Sequence, residues 1–312
     1  MLKYLLMIFI FSFNLLYSKD EINCIFTLTN HSGIIEAIVF SPDGKYLVSG
    51  GKDKTIRIWN VLNGTCINTI PTSNVLSLAF SPDGSILAAG SDDSTIKLFD
   101  FKKCEWLKSI SCGTCELTGY HSIMFNRDGS KIIGAAYSMK YRILDIKSEK
   151  VIQTVGDPLN INCIDLSPDG SLIATGADNF QAKLWDYHSG HIVKTYKEKY
   201  ENVSSVEFSP DGNHLISSSI TNTTLWYIPK GLALFIMEGG MATFSPNGKL
   251  IATVDQVKIM IWNSSNGMLV QSLYGHKDII NTIAFSPIKR ILASAGCDKT
   301  IKIWKIRPFE KY

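Results

Sequence analysis

The stretch Phe40-Ser41-Pro42-Asp43-Gly44 decides how this chain folds, because it comes back. It recurs unchanged as Phe80-Ser81-Pro82-Asp83-Gly84 and Phe208-Ser209-Pro210-Asp211-Gly212, and with one change as Leu166-Ser167-Pro168-Asp169-Gly170. Looser copies are Phe125-Asn126-Arg127-Asp128-Gly129, Phe244-Ser245-Pro246-Asn247-Gly248 and Phe285-Ser286-Pro287. The seven anchors, at positions 40, 80, 125, 166, 208, 244 and 285, stand 36 to 45 residues apart. A period near forty is the size of one supersecondary unit.

The chemistry around each anchor agrees. An apolar run precedes it, as in residues 34–40 and 75–80, and reads as a strand. Ser-Pro-Asp-Gly then makes a tight turn: Pro42 presets φ, Asp43 tolerates the bend and Gly44 reaches positive φ. A second strand follows at 46–49, and a third at Thr55-Ile56-Arg57-Ile58-Trp59. A variable fourth segment closes the unit, as in 66–70. Four antiparallel strands, repeated, are the blades of a β-propeller. No helical period competes after residue 20.

Counting fourth strands is the most useful single step. Six follow the first six anchors, at 66–70, 106–110, 151–155, 192–196, 232–237 and 269–273. The seventh unit ends at Trp304-Lys305-Ile306 with too little chain left for one. The missing strand lies at the other end, where Cys24-Ile25-Phe26-Thr27-Leu28 copies Cys66-Ile67-Asn68-Thr69-Ile70. The expected fold is therefore all-β: a single seven-bladed propeller over residues 22–308, closed by the N-terminal strand pairing with the last blade. Closure removes a sheet edge that would otherwise invite aggregation.

These residues resemble the WD-repeat (WD40) propellers over nearly the whole chain after residue 20. The first unit carries His31, Phe40 to Gly44, Ser49-Gly50, Asp53 and Thr55 to Trp59; the last carries Gly275-His276, Phe285-Ser286-Pro287, Ser294, Asp298 and Thr300 to Trp304. In that family the Trp, Ser/Thr, His and Asp of a unit form a buried hydrogen-bonded chain. The resemblance implies Trp59–Ser49–His31–Asp53 and Trp304–Ser294–His276–Asp298 here, as structural tetrads. The middle units depart: unit two has Ala89 and Phe99 at the Ser and Trp positions, unit four has Asn179 for Asp, and units three, five and six lack the His. Only the units flanking the closure keep the full set, which concentrates the expected stability there. Ser, His and Asp are also the parts of a hydrolytic triad, but Ser49 and Ser294 fall mid-strand, where a nucleophile has no access.

Composition restricts the rest. The 312 residues are 45% apolar and 19% charged with a net charge of +3, enough for a large core and with no basic stripe for nucleic acid. Met1-Leu2-Lys3, the apolar run 4–17 and Ser18-Lys19-Asp20 have the order of a secretory signal peptide over 1–18. The run is short of the roughly 20 residues that span a bilayer, so a membrane role is expected only if the segment stays uncleaved. The expected location is thus secreted or periplasmic, with the cytoplasm as the alternative. Cys112-Gly113-Thr114-Cys115 reads as inert thiols, a local disulfide or part of a metal site.

No G-x-S-x-G, G-x-G-x-x-G, Walker loop or H-E-x-x-H occurs. Asp43, Asp83, Asp128, Asp169 and Asp211 are turn residues at repeat spacing. No enzyme, catalytic residue, cofactor or metal is expected. In WD-repeat propellers partners dock where the second–third strand turns and the entries to the first strands converge. By position that face holds Glu36, Lys52, Asn74, Leu76, Asp92, His121 and Asn160. It continues through Asn162, Asp178, Asn202, Ser204, Glu238, Asn281 and Cys297. The set is polar and poor in Trp, Tyr and Arg anchors. The leading expectation is a non-catalytic scaffold for a protein or peptide, a monomer or one part of a larger complex. The alternatives are an extracytoplasmic propeller with a small-molecule or hydrolytic site in its central channel, and an intracellular signalling scaffold.

Overall fold

The computed structural model describes residues 23–111, 119–136, 138–198 and 201–308. The N-terminal apolar run and the Cys112–Cys115 pair lie outside the described residues. Among the described residues all the regular elements are strands. β1 (Cys24–Leu28) is followed by β2 (Ile35–Phe40), β3 (Tyr46–Gly51), β4 (Thr55–Asn60) and β5 (Cys66–Pro71). Next come β6 (Val75–Phe80), β7 (Ile86–Ser91), β8 (Thr95–Asp100) and β9 (Glu105–Ser111). β10 (Tyr120–Phe125), β11 (Lys131–Ala136), β12 (Ser138–Asp145), β13 (Lys150–Leu166), β14 (Leu172–Ala177), β15 (Gln181–Asp186) and β16 (Ile192–Lys197) occupy the middle. β17 (Ser205–Phe208), β18 (His214–Ser218), β19 (Asn222–Tyr227) and β20 (Leu232–Glu238) lead to β21 (Gly240–Phe244), β22 (Leu250–Asp255), β23 (Lys258–Asn263) and β24 (Leu269–Tyr274). β25 (Ile280–Phe285), β26 (Ile291–Gly296) and β27 (Ile301–Lys305) are the last of the described strands.

Five four-stranded antiparallel sheets result, β2–β5, β6–β9, β17–β20, β21–β24 and β25–β27 with β1, together with one seven-stranded sheet, β10–β16. The long sheet departs from the expected unit. Residues 151–155 were expected to end before the next first strand, but β13 runs on for 17 residues. Its first half pairs with β12 and its second with β14. The connector 156–160 stays extended, with no reversal to separate two units. β1 pairs antiparallel with β27, Leu28 opposite Ile301, so the first and last of the described strands share one sheet.

The core lies between sheets. Leu28, Ile35, Phe40, Leu47 and Trp59 pack against Ala293, Ala295, Ile301 and Ile303, joining the first sheet to the last. Val48, Ile56 and Ile58 pack against Leu87, Ala89 and Phe99 of the next sheet. First strands touch in order: β2 meets β6 and β25, β6 meets β10, β13 meets β10 and β17, and β21 meets β17 and β25. Side chains tie several of these contacts to the neighbouring backbone. Ser77 Oγ donates to Tyr120 O at 2.8 Å, Phe208 N donates to Asp165 Oδ2 at 2.7 Å, and Asn281 Nδ2 donates to Ile35 O at 3.2 Å.

The anchor turn explains why the motif repeats. Gly44 has φ of 63°, in the left-handed region that favours glycine. Ser41 does more than the sequence suggested. Its hydroxyl donates to Asp43 Oδ1 at 2.7 Å and accepts from Tyr46 N at 3.0 Å, while Asp43 Oδ1 also accepts from Lys45 N at 3.1 Å. The turn is thus closed from inside by a serine that is 3% exposed. In the second turn the Ser81 hydroxyl, then Ser85, hold Asp83 down to about 2.

Candidate binding face and buried polar networks

Five of the six tryptophans donate an indole hydrogen bond, and all five sit on third strands with a Ser or Thr of the second strand as partner. Trp59 Nε1 donates to Ser49 Oγ at 2.8 Å and Trp304 Nε1 to Ser294 Oγ at 2.7 Å. Trp185 donates to Thr175, Trp226 to Ser217 and Trp262 to Thr253 at 2.7 to 2.8 Å. A buried indole N–H needs such an acceptor, because leaving it bare costs about 1–3 kcal/mol.

In the first and last sheets the chain of bonds continues to histidine. Ser49 Oγ lies 2.6 Å from His31 Nε2, and His31 Nδ1 lies 2.7 Å from Asp53 Oδ2. The last sheet repeats this with His276: 2.7 Å to Ser294 and 2.8 Å to Asp298. The donor count fixes the tautomer. Ser49 accepts from the indole, so its own proton goes to Nε2, and Nδ1–H donates to the carboxylate. Burial lowers the pKa of His31 despite the Asp53 hydrogen bond, which favours the neutral ring. Burial works to raise Asp53, but hydrogen bonds from His31, Thr55 and the Ser32 amide outweigh it and hold the carboxyl below its usual range. Both serines are 0% exposed. A hydroxyl so placed has no route to a substrate.

The middle sheets differ from expectation in an instructive way. His31 and His276 each stand 18 residues before their serine, and Asp157 stands 18 before Thr175. Its carboxylate binds Lys183 Nζ at 2.7 and 2.9 Å, with side chains 0% and 7% exposed. Glu198 precedes Ser217 by 19 residues, accepting the Ser217 hydroxyl and, at 2.8 Å, Thr224 Oγ1. In the β21–β24 sheet the Thr253 hydroxyl donates to the Glu238 carbonyl at 2.7 Å. Polar closure is therefore not confined to the first and last sheets. In the β17–β20 and β21–β24 sheets an oxygen acceptor replaces the imidazole, which a search for histidine misses. The β6–β9 sheet has no such network: Phe99 is 1% exposed and meets Trp106 edge-on at 5.3 Å.

Two more acids escaped the sequence reading. Asp165 and Glu207 occupy the position before the anchor on β13 and β17, where other units have Val39, Ala79, Met124, Thr243 and Ala284. Glu207 Oε1 accepts from Phe244 N at 3.0 Å and from Thr243 Oγ1 at 3.2 Å. Burial pushes Asp165 up to about 7; burial and the Asp165 charge push Glu207 up to about 8.

The expected docking positions lie at strand ends opposite the Ser-Pro-Asp-Gly turns, and many hold one another. Asp178 accepts from Asn160 at 3.0 Å, Asn162 at 2.9 Å and Asn202 at 3.4 Å. Asn74 Nδ2 donates to Asp92 at 2.6 Å. Glu36 pairs with Lys52 at 3.2 Å and takes Asn281 Nδ2 at 3.4 Å, while Cys297 Sγ reaches Asn281 at 3.7 Å. Ser204 Oγ donates to Ser218 O at 3.1 Å. Leu76 and His121 are half-buried, and burial lowers His121 to about 4. Glu238 has an exposed side chain.

The family model for the WD domain, G-beta repeat, matches residues 22–60, 64–100, 149–186, 190–225 and 267–305. Periodic tryptophan protein 2 of Arabidopsis thaliana is 28% identical over 198 residues, covering 59% of this chain and 22% of that protein. Autophagy-related protein 16 of Arabidopsis thaliana is 24% identical over 88% of this chain and 56% of its own length. Nuclear distribution protein PAC1 of Coccidioides posadasii (strain C735) is 27% identical over 90% of this chain and 59% of its own. The chain thus spans less than two thirds of each of these relatives. With five matched repeats covering more than half of its residues, it belongs to the WD-domain, G-beta repeat family.

Proposed function

We propose that the chain is a closed ring of seven blades that works as a non-catalytic scaffold, holding a protein or peptide on the face around Asp178, Asp92 and Glu36. The ring is supported by first strands that touch in sequence from β2 round to β25, and by β1 completing the sheet of β27. In this reading the long sheet counts as two blades, divided within β13, and the buried Trp-centred networks stiffen the blades. The observation that carries the binding role is the fixed rim: three asparagine amides converge on one carboxylate, Asp178. Side chains already held in place lose little freedom when a partner docks, which favours affinity.

Crosslinking with mass spectrometry identifies the partner. Binding of that partner to Glu36→Lys, Asp92→Lys and Glu238→Lys variants then tests the face, with a loss of roughly tenfold or more expected for the triple change. Unchanged affinity would remove this face from the proposal. The export reading rests on residues 1–18. The relatives' names, autophagy-related protein and nuclear distribution protein among them, speak for the cell interior and favour the intracellular alternative. N-terminal sequencing of the protein from its own cell separates them: an intact Met1 fits the interior, a start near Lys19 fits export.

A further inference from the structure

At the end of the molecule opposite that face, five anchor turns carry an acid. Asp43, Asp83, Asp128, Asp169 and Asp211 each accept from the amide two residues on, at 2.8 to 3.1 Å. Two neighbouring turns have lost it. Asn247 makes the same bond to Lys249 N, at 3.1 Å, as a neutral acceptor. In the last turn Ile288 takes the place of Asp, and Lys289 N donates to Ser286 Oγ at 3.2 Å instead. Between these two turns lies a cavity of about 250 Å³. Its wall contains Lys249, Lys289, Arg290 and Arg307 and no Asp or Glu. All four cations are exposed, and among the described residues none pairs with a carboxylate.

Where the repeat drops its acid, four like charges gather around one concavity. Such an arrangement repels itself until an anion enters. Size limits the anion: pockets for drug-sized ligands run to about 300–1,000 Å³, so this one suits a compact group. Two guanidinium forks match tetrahedral oxygens in pairs, and two ammonium groups add point charge, which favours a dianion over a carboxylate. We infer that the cavity between the β21–β24 and β25–β27 sheets binds a phosphate monoester or free phosphate through Lys249, Lys289, Arg290 and Arg307. The site is separate from the proposed partner face, and neither depends on the other.

Calorimetric titration with inorganic phosphate at constant ionic strength tests this. Saturable binding is expected, weakened roughly tenfold in a Lys289→Gln/Arg290→Gln double variant. Lys45→Gln, on a turn that keeps its acid, serves as the control and should bind like the unaltered chain. Both changed side chains are exposed, so the double variant should melt within about 0.5 kcal/mol of the original. Absence of saturable binding below roughly 20 mM phosphate overturns the inference, as does equal binding by the double variant. Flotation with phosphatidylcholine vesicles carrying phosphatidic acid assigns the source. Co-flotation that the double variant loses places the monoester on a lipid, and phosphate binding without flotation places it on a soluble molecule.

Discussion

The first sheet and the β17–β20 sheet solve the same problem with different residues. Each buries a tryptophan on its third strand and a serine on its second, 2.7 to 2.8 Å apart. In the first the serine donates a hydrogen bond to neutral His31, which is held in turn by Asp53. In the other it donates one to Glu198, whose second oxygen takes Thr224. What is kept between units is the hydrogen-bond complement, not the side chain. The β13–β16 half-sheet goes further, with Asp157 at the histidine spacing turned to neutralise Lys183. A blade needs its buried donors answered, and either a ring nitrogen or a carboxylate supplies the answer.

The largest expected effect breaks that equivalence at Lys183. Asp157→Ala leaves a buried ammonium without its partner, which costs about 3–5 kcal/mol. In a domain of this size the melting temperature should fall by roughly 10 °C in scanning calorimetry. Asp157→Ala/Lys183→Met should recover most of the loss, because replacing both charges with apolar groups is often neutral. A single variant that melts within a couple of degrees of the original would mean that water already reaches the pair.

Next in size are the serines themselves. Ser49→Ala and Ser217→Ala each strand an indole N–H and free one further polar group, so each should cost about 2–3 kcal/mol in urea unfolding. The comparison is sharper than either number. Equal losses support the equivalence of histidine and glutamate as acceptors. A Ser217→Ala cost about 1 kcal/mol below that of Ser49→Ala would show Glu198 to be satisfied by Thr224 alone.

How far the sequence speaks follows from these same residues. The turn motif announces itself because Pro42, Asp43 and Gly44 each have a local backbone reason to be there, readable without neighbours. The copy of residues 66–70 at 24–28 is likewise local, and the strand bounds of β1 are those expected. Asp157 and Glu198 were hidden because their meaning lies in register. Only the distance of 18 or 19 residues to a strand threonine or serine marks them, and an acid in a loop otherwise reads as solvated. Asp165 and Glu207 were legible in principle, as two acids at a position filled elsewhere by uncharged residues. Their consequence depends on the neighbouring sheet, which no local pattern describes. The continuous β13 was missed for a related reason, since whether a five-residue connector reverses or stays extended is decided by what it pairs with.

The smallest expected effect concerns those two acids, and it gives the comparison a pH axis. Asp165 and Glu207, on adjacent first strands, tie each sheet to the next through the amides of Phe208 and Phe244. The strands packed on them carry few charges: His121 on β10, Lys131 on β11, Lys140, Arg142 and Asp145 on β12, and His214 on β18, with Lys150 and Asp157 further along β13. Burial raises Glu207 to about 8 in the folded chain, against about 4.3 for an unfolded glutamate. Between those values the folded state holds a proton that the unfolded state has released, so stability falls as pH rises through this window. His31 and His276 act in the opposite sense, since burial lowers both and stability is lost as they are forced to take a proton below about 6.5. Variant and original must therefore be compared at one pH at a time. Glu207→Gln keeps an oxygen for Phe244 N and Thr243 Oγ1 but cannot ionise. It should match the original at pH 5 and exceed it at pH 8.5 by about 1–2 kcal/mol, less than the full shift because the group is only half-buried. A variant that is weaker at both pH values would mean that the carboxylate stays charged and useful in the fold, and that these acids belong with Glu198 as acceptors.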